Sequence, residues 1–363
     1  MLEPPGEGAS RVLGLPRALV VLLGAAAVVI VAAGVHAIAW LIGPTFLALI
    51  IVIAVAPAHS WLRRIGLPAW AATIVLILLV YGVIISMALV MVVSVARLGT
   101  VLPQYTSHAN QLVGSLSTTL AKLGVGPDQL KSALSSLNIG NIVGIIGTLL
   151  ASVAGLATNF VFLLALLLFL SIETKGVPAR LAAIAADRPR ISEALDHFAW
   201  GTRRYLLVTT VFGGIVAVLD GIALAIIGIP LPVLWGLLAF ITNYIPNVGF
   251  IIGVIPPALL GLLGGGWKQM VVVIVVYCVL NFVIQSLIQP RFIGDSVGLS
   301  MTITFMALFF WTWLLGPLGA ILAIPLTLLA KSLLVDIDPK AGWAQALLRD
   351  SSVPASSGDP AAR

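Results

Sequence analysis

Apolar residues run along this chain in long uninterrupted blocks, at 18–33, 38–56 and 69–93 near its start. No Asp, Glu, Lys or Arg occurs from 18 to 62 or from 65 to 96. About 20 apolar residues cover a hydrocarbon core of roughly 30 Å. Each block therefore predicts a transmembrane helix. The first two are joined by a short turn, so they are expected to be antiparallel neighbours. Further blocks fall at 145–171, 206–228 and 270–289.

Two other blocks are too long for one straight helix. The run 231–264 has 34 residues, which would extend about 50 Å at 1.5 Å per residue. It breaks in the middle. Pro246 has no N–H to donate, Gly249 is flexible, and Asn243, Tyr244 and Asn247 gather there. The run 301–333 breaks at Gly316, Pro317 and Gly319. Each run follows a full span and an Ile-Gly pair, and each holds a later proline, Pro256 or Pro325. This predicts an internal repeat in the C-terminal half. Broken segments at corresponding places in two repeats point to a transporter binding site. Two topologies fit: kinked full spans, giving eight helices, or re-entrant hairpins whose tips approach from opposite faces. The overlong lengths favour the hairpins.

Composition supports a membrane protein. Of 363 residues, 60% are hydrophobic and 9% charged, against about 25% charged in a soluble domain. The net charge of +6 reflects Lys and Arg in cytoplasmic segments rather than nucleic-acid binding. The most charged stretch, Glu173 to Arg204, carries six basic and four acidic residues. It reads as a cytoplasmic helix and hinge. Residues 99–140 differ: Leu102, Tyr105, Leu112, Leu116, Leu120 and Leu123 among polar residues suggest an extracytoplasmic amphipathic helix. Both a connector and an oligomer contact fit it.

The expected layout follows in order. Residues 1–16 form a disordered tail, 17–98 the first three spans, and 99–140 the amphipathic segment. Residues 141–172 form span four and 173–205 a charged linker. The transport repeats occupy 206–338, and 339–363 form a cytoplasmic tail. The fold class is an all-α polytopic membrane protein of about eight hydrophobic segments, two of them broken or re-entrant.

Candidate chemistry is sparse. Asp220 lies inside the 206–228 span. A carboxylate there is costly unless paired or wet, so it reads as a proton or cation coupling site, a substrate contact, or a hydrogen-bonded structural acid. Asn281, Gln285 and Gln289 recur every four residues on one helix face. They fit a polar pathway, or glue between helices. Asn243, Tyr244 and Asn247 can cap freed backbone groups and also meet a substrate. Trp235, Trp267, Trp311 and Trp313 read as interfacial or packing residues. Cys278 stands alone, and His36, His59, His108 and His197 are scattered. No disulfide, metal cluster, cofactor or nucleophile–base pair is expected, and the chain is not read as an enzyme.

The blocks LWGLLAFITNYIPNVG, NFVIQSLIQPRFIGDSVGLS and FFWTWLLGPLGAILAIPLT resemble the signature blocks of the autoinducer-2 exporter family of bacterial membrane proteins. The resemblance is strongest from Pro230 to Lys331 and reaches nearly the whole chain. It implies a multi-pass inner-membrane permease that exports small molecules, the quorum signal among them. Some members are linked to sodium or proton antiport. It also implies oligomers, with re-entrant hairpins in a moving transport domain. Family motif positions fall on Asn243, Ile245, Pro246, Gly249, Gln289, Pro290, Gly294, Gly316, Pro317, Gly319 and Pro325.

Taken together, these features predict a secondary transporter exporting a small polar solute by alternating access, with both termini cytoplasmic. Membrane lipid, the solute and copies of itself are its expected partners. A monovalent cation/proton antiporter and a non-transporting membrane scaffold are the rival readings.

Overall fold

A computed structural model describes residues 17–105, 161–173, 176–246, 248–293 and 299–337. Most of the amphipathic segment, the start of span four, both tails, Asn247 and Gly294 lie outside the described residues. Every regular element among the described residues is helical.

The first three helices are α1 (Arg17–Ala37), α2 (Ala39–Arg64) and α3 (Ala69–Val101). A single residue, Ile38, separates α1 from α2. α4 (Val161–Glu173) and α5 (Val177–Asp187) follow. α6 (Pro189–Ile227) is one helix of 39 residues. It crosses the expected junction between charged linker and transport repeats at 205/206 without interruption. The charges sit on an exposed face that needs no break in the helix. α6 ends in a left-handed Gly228, φ 86°. Ile229 N–H bonds the Leu224 carbonyl and Gly228 N–H the Ala225 carbonyl, the pattern of a glycine C-terminal cap.

Among the described residues four helices are long and apolar enough to cross a membrane: Ala39–Arg64, Ala69–Val101, Pro189–Ile227 and Gly249–Ile288. The last is bent by a corner at Gly266, φ 73°. Away from the charged first half of α6, their outward faces are rich in apolar side chains; Ile226 of α6 is 81% exposed. Lipid is the solvent that suits such a surface.

The two overlong runs double back. In the first, α7 (Pro232–Thr242) leads through the break into α8 (Gly249–Asn281). A Cβ at Gly249 would overlap the Thr242 carbonyl, and one at Gly253 would lie 3.7 Å from Ala239 Cα. Only glycine permits the approach at 249; at 253 the two helices are in ordinary contact. In the second, α9 (Met301–Leu315) turns at Gly316, φ 68°, into α10 (Pro317–Ile321) and α11 (Ala323–Lys331). Trp311 Nε1 donates to Thr327 Oγ1 at 3.0 Å across the fold. A Cβ at Gly319 would overlap the Trp311 carbonyl.

Three clusters hold these parts together. Leu224, Leu234, Trp235, Val254, Val273 and Tyr277 bury the first hairpin against α6 and α3. Phe46, Ile50, Phe198, Leu314 and Ile324 bury the second against α2 and α6. Ile245 and Val248 of the first break pack on the cluster of Leu308, Ala320 and Ala323 of the second hairpin, as Trp311 does. Proline also creates a contact. Pro57 cannot donate to the Ile53 carbonyl of its own helix, and Arg203 Nε on α6 donates there instead at 3.0 Å.

Candidate functional site

The site begins where α7 runs out. Pro246 cannot continue the α7 ladder, so Ile245 N–H takes the Thr242 carbonyl at 2.8 Å in a tighter turn. The turn leaves the side chains of Asn243 and Tyr244 facing α6. Asn243 Nδ2 donates to the Thr209 carbonyl at 3.1 Å. It reaches that carbonyl because position 213 is glycine; a Cβ there would lie 2.6 Å from the amide nitrogen. The Tyr244 carbonyl accepts from the Tyr205 hydroxyl at 3.3 Å, and its own hydroxyl pairs with Thr210 Oγ1 at 2.7 Å. The break is thus pinned to α6 by three hydrogen bonds, at Tyr205, Thr209 and Thr210.

The opposite wall comes from the second half of α8. That helix passes into a π-helical stretch, Phe282–Ile288. Such stretches are rare and recur at functional sites. Gln285 Nε2 donates to Asn243 Oδ1 at 2.8 Å and to Asn281 Oδ1 at 2.7 Å. Asn281 Nδ2 in turn donates to the Tyr277 carbonyl at 2.8 Å. An unbroken series of amides therefore runs from α6, through the break, to α8.

These groups line a cavity of about 890 Å³. Asn243, Asn281, Gln285 and Gln289 all face it, with Tyr205 and Thr209 of α6 and Thr304 of α9. None of its described lining residues is charged. Phe250 and Phe282 supply apolar walls. Asn281 and Gln289 are 6% and 9% exposed, so their amides serve the cavity rather than open solvent. Thr209 Oγ1 forms no hydrogen bond of normal geometry; the Tyr205 hydroxyl beside it is committed to Tyr244.

Asp220 does not line this cavity. It is 0% exposed, and neither carboxyl oxygen has a hydrogen bond of normal geometry. The Asn281 amide and the Tyr277 hydroxyl are its polar neighbours, and that hydroxyl is also unbonded. Asp220 sits behind Asn281, which separates it from the cavity. Among the described residues no three His, Cys, Asp or Glu side chains are placed to hold a metal.

The remaining candidates serve the backbone. Pro256 lies inside α8 and Pro325 is buried in α11. Pro290 opens the turn after the π-helix. Pro317 starts α10 after the Gly316 turn. Trp235 and Trp311 each bond a neighbouring oxygen as packing residues, while Trp267 and Trp313 are exposed.

Sequence reasoning missed Tyr205, Thr209, Ser286, Thr304 and Cys278, all of which line the cavity. A signal existed for Thr209. It stands seven residues after Thr202 and eleven before Asp220, so all three share one face of α6. All three are buried.

The family described as AI-2E family transporter matches residues 22–337. The Escherichia coli K12 protein named "AI-2 transport protein TqsA" is 28% identical over 315 residues, 86% of this chain and 90% of that one. YhhT of the same strain, named "Putative transport protein YhhT", is 28% identical over 314 residues, 86% and 89% of the two chains. A Haemophilus influenzae relative named "Putative transport protein" is 29% identical over 317 residues, 85% and 90% of the two chains.

Proposed function

The chain belongs to the AI-2E family of transporters, and on that premise we propose that it is a secondary permease exporting a small polar solute through the amide-lined cavity. It is a multi-pass membrane protein of a transporter family, not an enzyme family. The observation that carries the reading is the cavity itself. Broken backbone is tolerated at membrane depth where it lines a cavity or is buried in protein, and here the break supplies Asn243 to the cavity wall.

The mechanism we infer is alternating access. Residues 206–334 form two repeats of inverted orientation, each with one full span and one re-entrant hairpin. They move against a scaffold made by the first four spans. The tip-to-tip contact of Ile245 and Val248 with the second hairpin supports a shared site between the repeats. The protein resides in the bacterial inner membrane with both termini in the cytoplasm. Arg63 and Arg64 at the end of α2, Arg203 and Arg204 on α6 and Lys331 at the end of α11 support that orientation. The working assembly is a homo-oligomer. An autoinducer-2-like signal is a candidate cargo because one relative bears that name.

One observation favours a second reading, a sodium/proton antiporter or a proton-coupled exporter. Asp220 is a fully buried carboxyl beside the Asn281 amide, one side chain away from the cavity. An intramembrane acid is a coupling candidate.

Metabolite profiling of cells and medium with and without the protein identifies cargo, and flux of that cargo in proteoliposomes tests the proposal. Uphill or exchange flux supports it. If Asp220→Asn leaves flux and its pH dependence unchanged, the carboxyl carries no coupling. Absence of any flux, together with Cys278 labelling from one membrane face only, would mark a scaffold.

A further inference from the structure

Gln285 occupies a singular place in the cavity. Its amino group sits between two amide oxygens, 2.8 Å from Asn243 Oδ1 and 2.7 Å from Asn281 Oδ1. Those oxygens are the groups a cation would need, since neutral oxygens are how uncharged protein surfaces hold ions. With Gln285 donating to both, a cation meets a partial positive charge where it requires a negative one. An anion fares no better. The amino groups of Asn243 and Asn281 are turned to the Thr209 and Tyr277 carbonyls. The start of α9, which also borders the cavity, is capped by its own Ser300 Oγ at 3.3 Å from Ile303 N.

We propose that Gln285 makes this cavity selective for uncharged solutes bearing hydrogen-bonding groups, excluding ions of either sign. The proposal deepens the permease reading and rests on it. An ion in a low-dielectric cavity requires a countercharge or a full shell of dipoles. The described lining offers no countercharge, and the amides of Asn243, Asn281 and Gln285 are bonded to one another or to backbone carbonyls. A neutral solute needs neither. It trades hydrogen bonds with water for bonds with Thr304 and Gln289, and rests its apolar face on Phe250 and Phe282.

The single cysteine of the chain provides the probe, because Cys278 lines the same cavity and is free. The full-length protein in liposomes is treated with three methanethiosulfonates: hydroxyethyl, trimethylammonioethyl and sulfonatoethyl. Each rate is divided by that reagent's rate with free cysteine. Both charged reagents are expected to lag the hydroxyethyl reagent by about tenfold or more. Gln285→Glu is expected to raise the cation-to-anion rate ratio by about tenfold. Gln285→Met, apolar and similar in length, frees the Asn243 and Asn281 oxygens; it is expected to raise the cationic rate relative to the anionic one and to slow the hydroxyethyl reagent relative to its methyl counterpart. Equal normalised rates for cationic and hydroxyethyl reagents in the parent protein would overturn the proposal. So would an unchanged ratio in a folded Gln285→Glu variant, or an unchanged hydroxyethyl-to-methyl ratio in Gln285→Met. Loss of flux with intact charge selection would instead sink the permease reading alone.

Discussion

The two broken segments use the same backbone device for different ends. In each, a glycine after the break closes on a carbonyl of the helix before it: Gly249 on Thr242, Gly319 on Trp311. In each, the chain then folds back on itself. Their side chains diverge. The first break carries Asn243 and Tyr244 and bonds outward to α6 and to Gln285. The second is dry. Its Leu314, Leu315 and Leu322 enter an apolar cluster with α2, and Leu318 crowds Gly43, where a Cβ would lie 3.2 Å away. His36 at the end of α1 bonds the Leu314 carbonyl at 3.1 Å and stacks on Trp313. One break is built to present polar groups to a cavity, the other to be held against the first two helices. A shared backbone shape therefore does not imply a shared role.

The sharpest way to break that comparison is at the shared device. Gly249→Ala and Gly319→Ala each force a Cβ into a backbone carbonyl that cannot step aside as a side chain would. Both should destabilise at the top of the usual overpacking range of about 1–3 kcal/mol, read as a lowered unfolding temperature in detergent. Gly24→Ala and Gly82→Ala, where a Cβ meets nothing within 4 Å, are the controls. Those should be stabilising by roughly 0.5–1 kcal/mol, as alanine is in helix interiors. If the first pair behaves like the second, the fold-back is wrong for both segments.

The next largest effect should separate the breaks. Asn243→Ala removes a donor from the Thr209 carbonyl and strands one hydrogen of Gln285 in a buried setting. A loss of this kind costs about 1–3 kcal/mol. Solute flux should fall along with stability, because the amide faces the cavity. A variant that loses stability but transports at the parent rate per folded molecule would show that Asn243 only caps the break.

How much of this was legible in the sequence depends on the range of the cause. Pro246, Gly249, Gly316 and Gly319 act on the backbone next to them, so the positions of both breaks could be read directly. The spacing of Asn281, Gln285 and Gln289 is also local, and all three line one cavity. What a break does next is not local. Kinked and folded-back runs have the same composition, and the choice rests on close approaches such as Gly249 to the Thr242 carbonyl. The continuity of α6 was hidden because charged residues on an exposed helix face look like a linker. Asp220 stood out as a buried acid. Its place behind Asn281 rather than on the cavity depends on which α8 face meets α6, and no periodicity in one helix reports that. The Arg203 bond to the carbonyl freed by Pro57 joins residues 150 apart and was invisible for the same reason.

The smallest effect sharpens the comparison from the dry side. Trp311 Nε1 bonds Thr327 Oγ1, and the same hydroxyl donates to the Ala323 carbonyl at 2.7 Å. Thr327→Val keeps the shape and deletes both bonds. Interhelical bonds of this type in a membrane protein average about 0.6 kcal/mol, and the Ala323 carbonyl keeps its own helical partner. The variant should lower the unfolding temperature only slightly. Its flux should match the parent, because neither Trp311 nor Thr327 lines the cavity. The same small loss of stability from Asn243→Ala would place the two breaks in one structural class. A fall in flux from Thr327→Val would mean that the second hairpin must move as a rigid unit for the solute to cross.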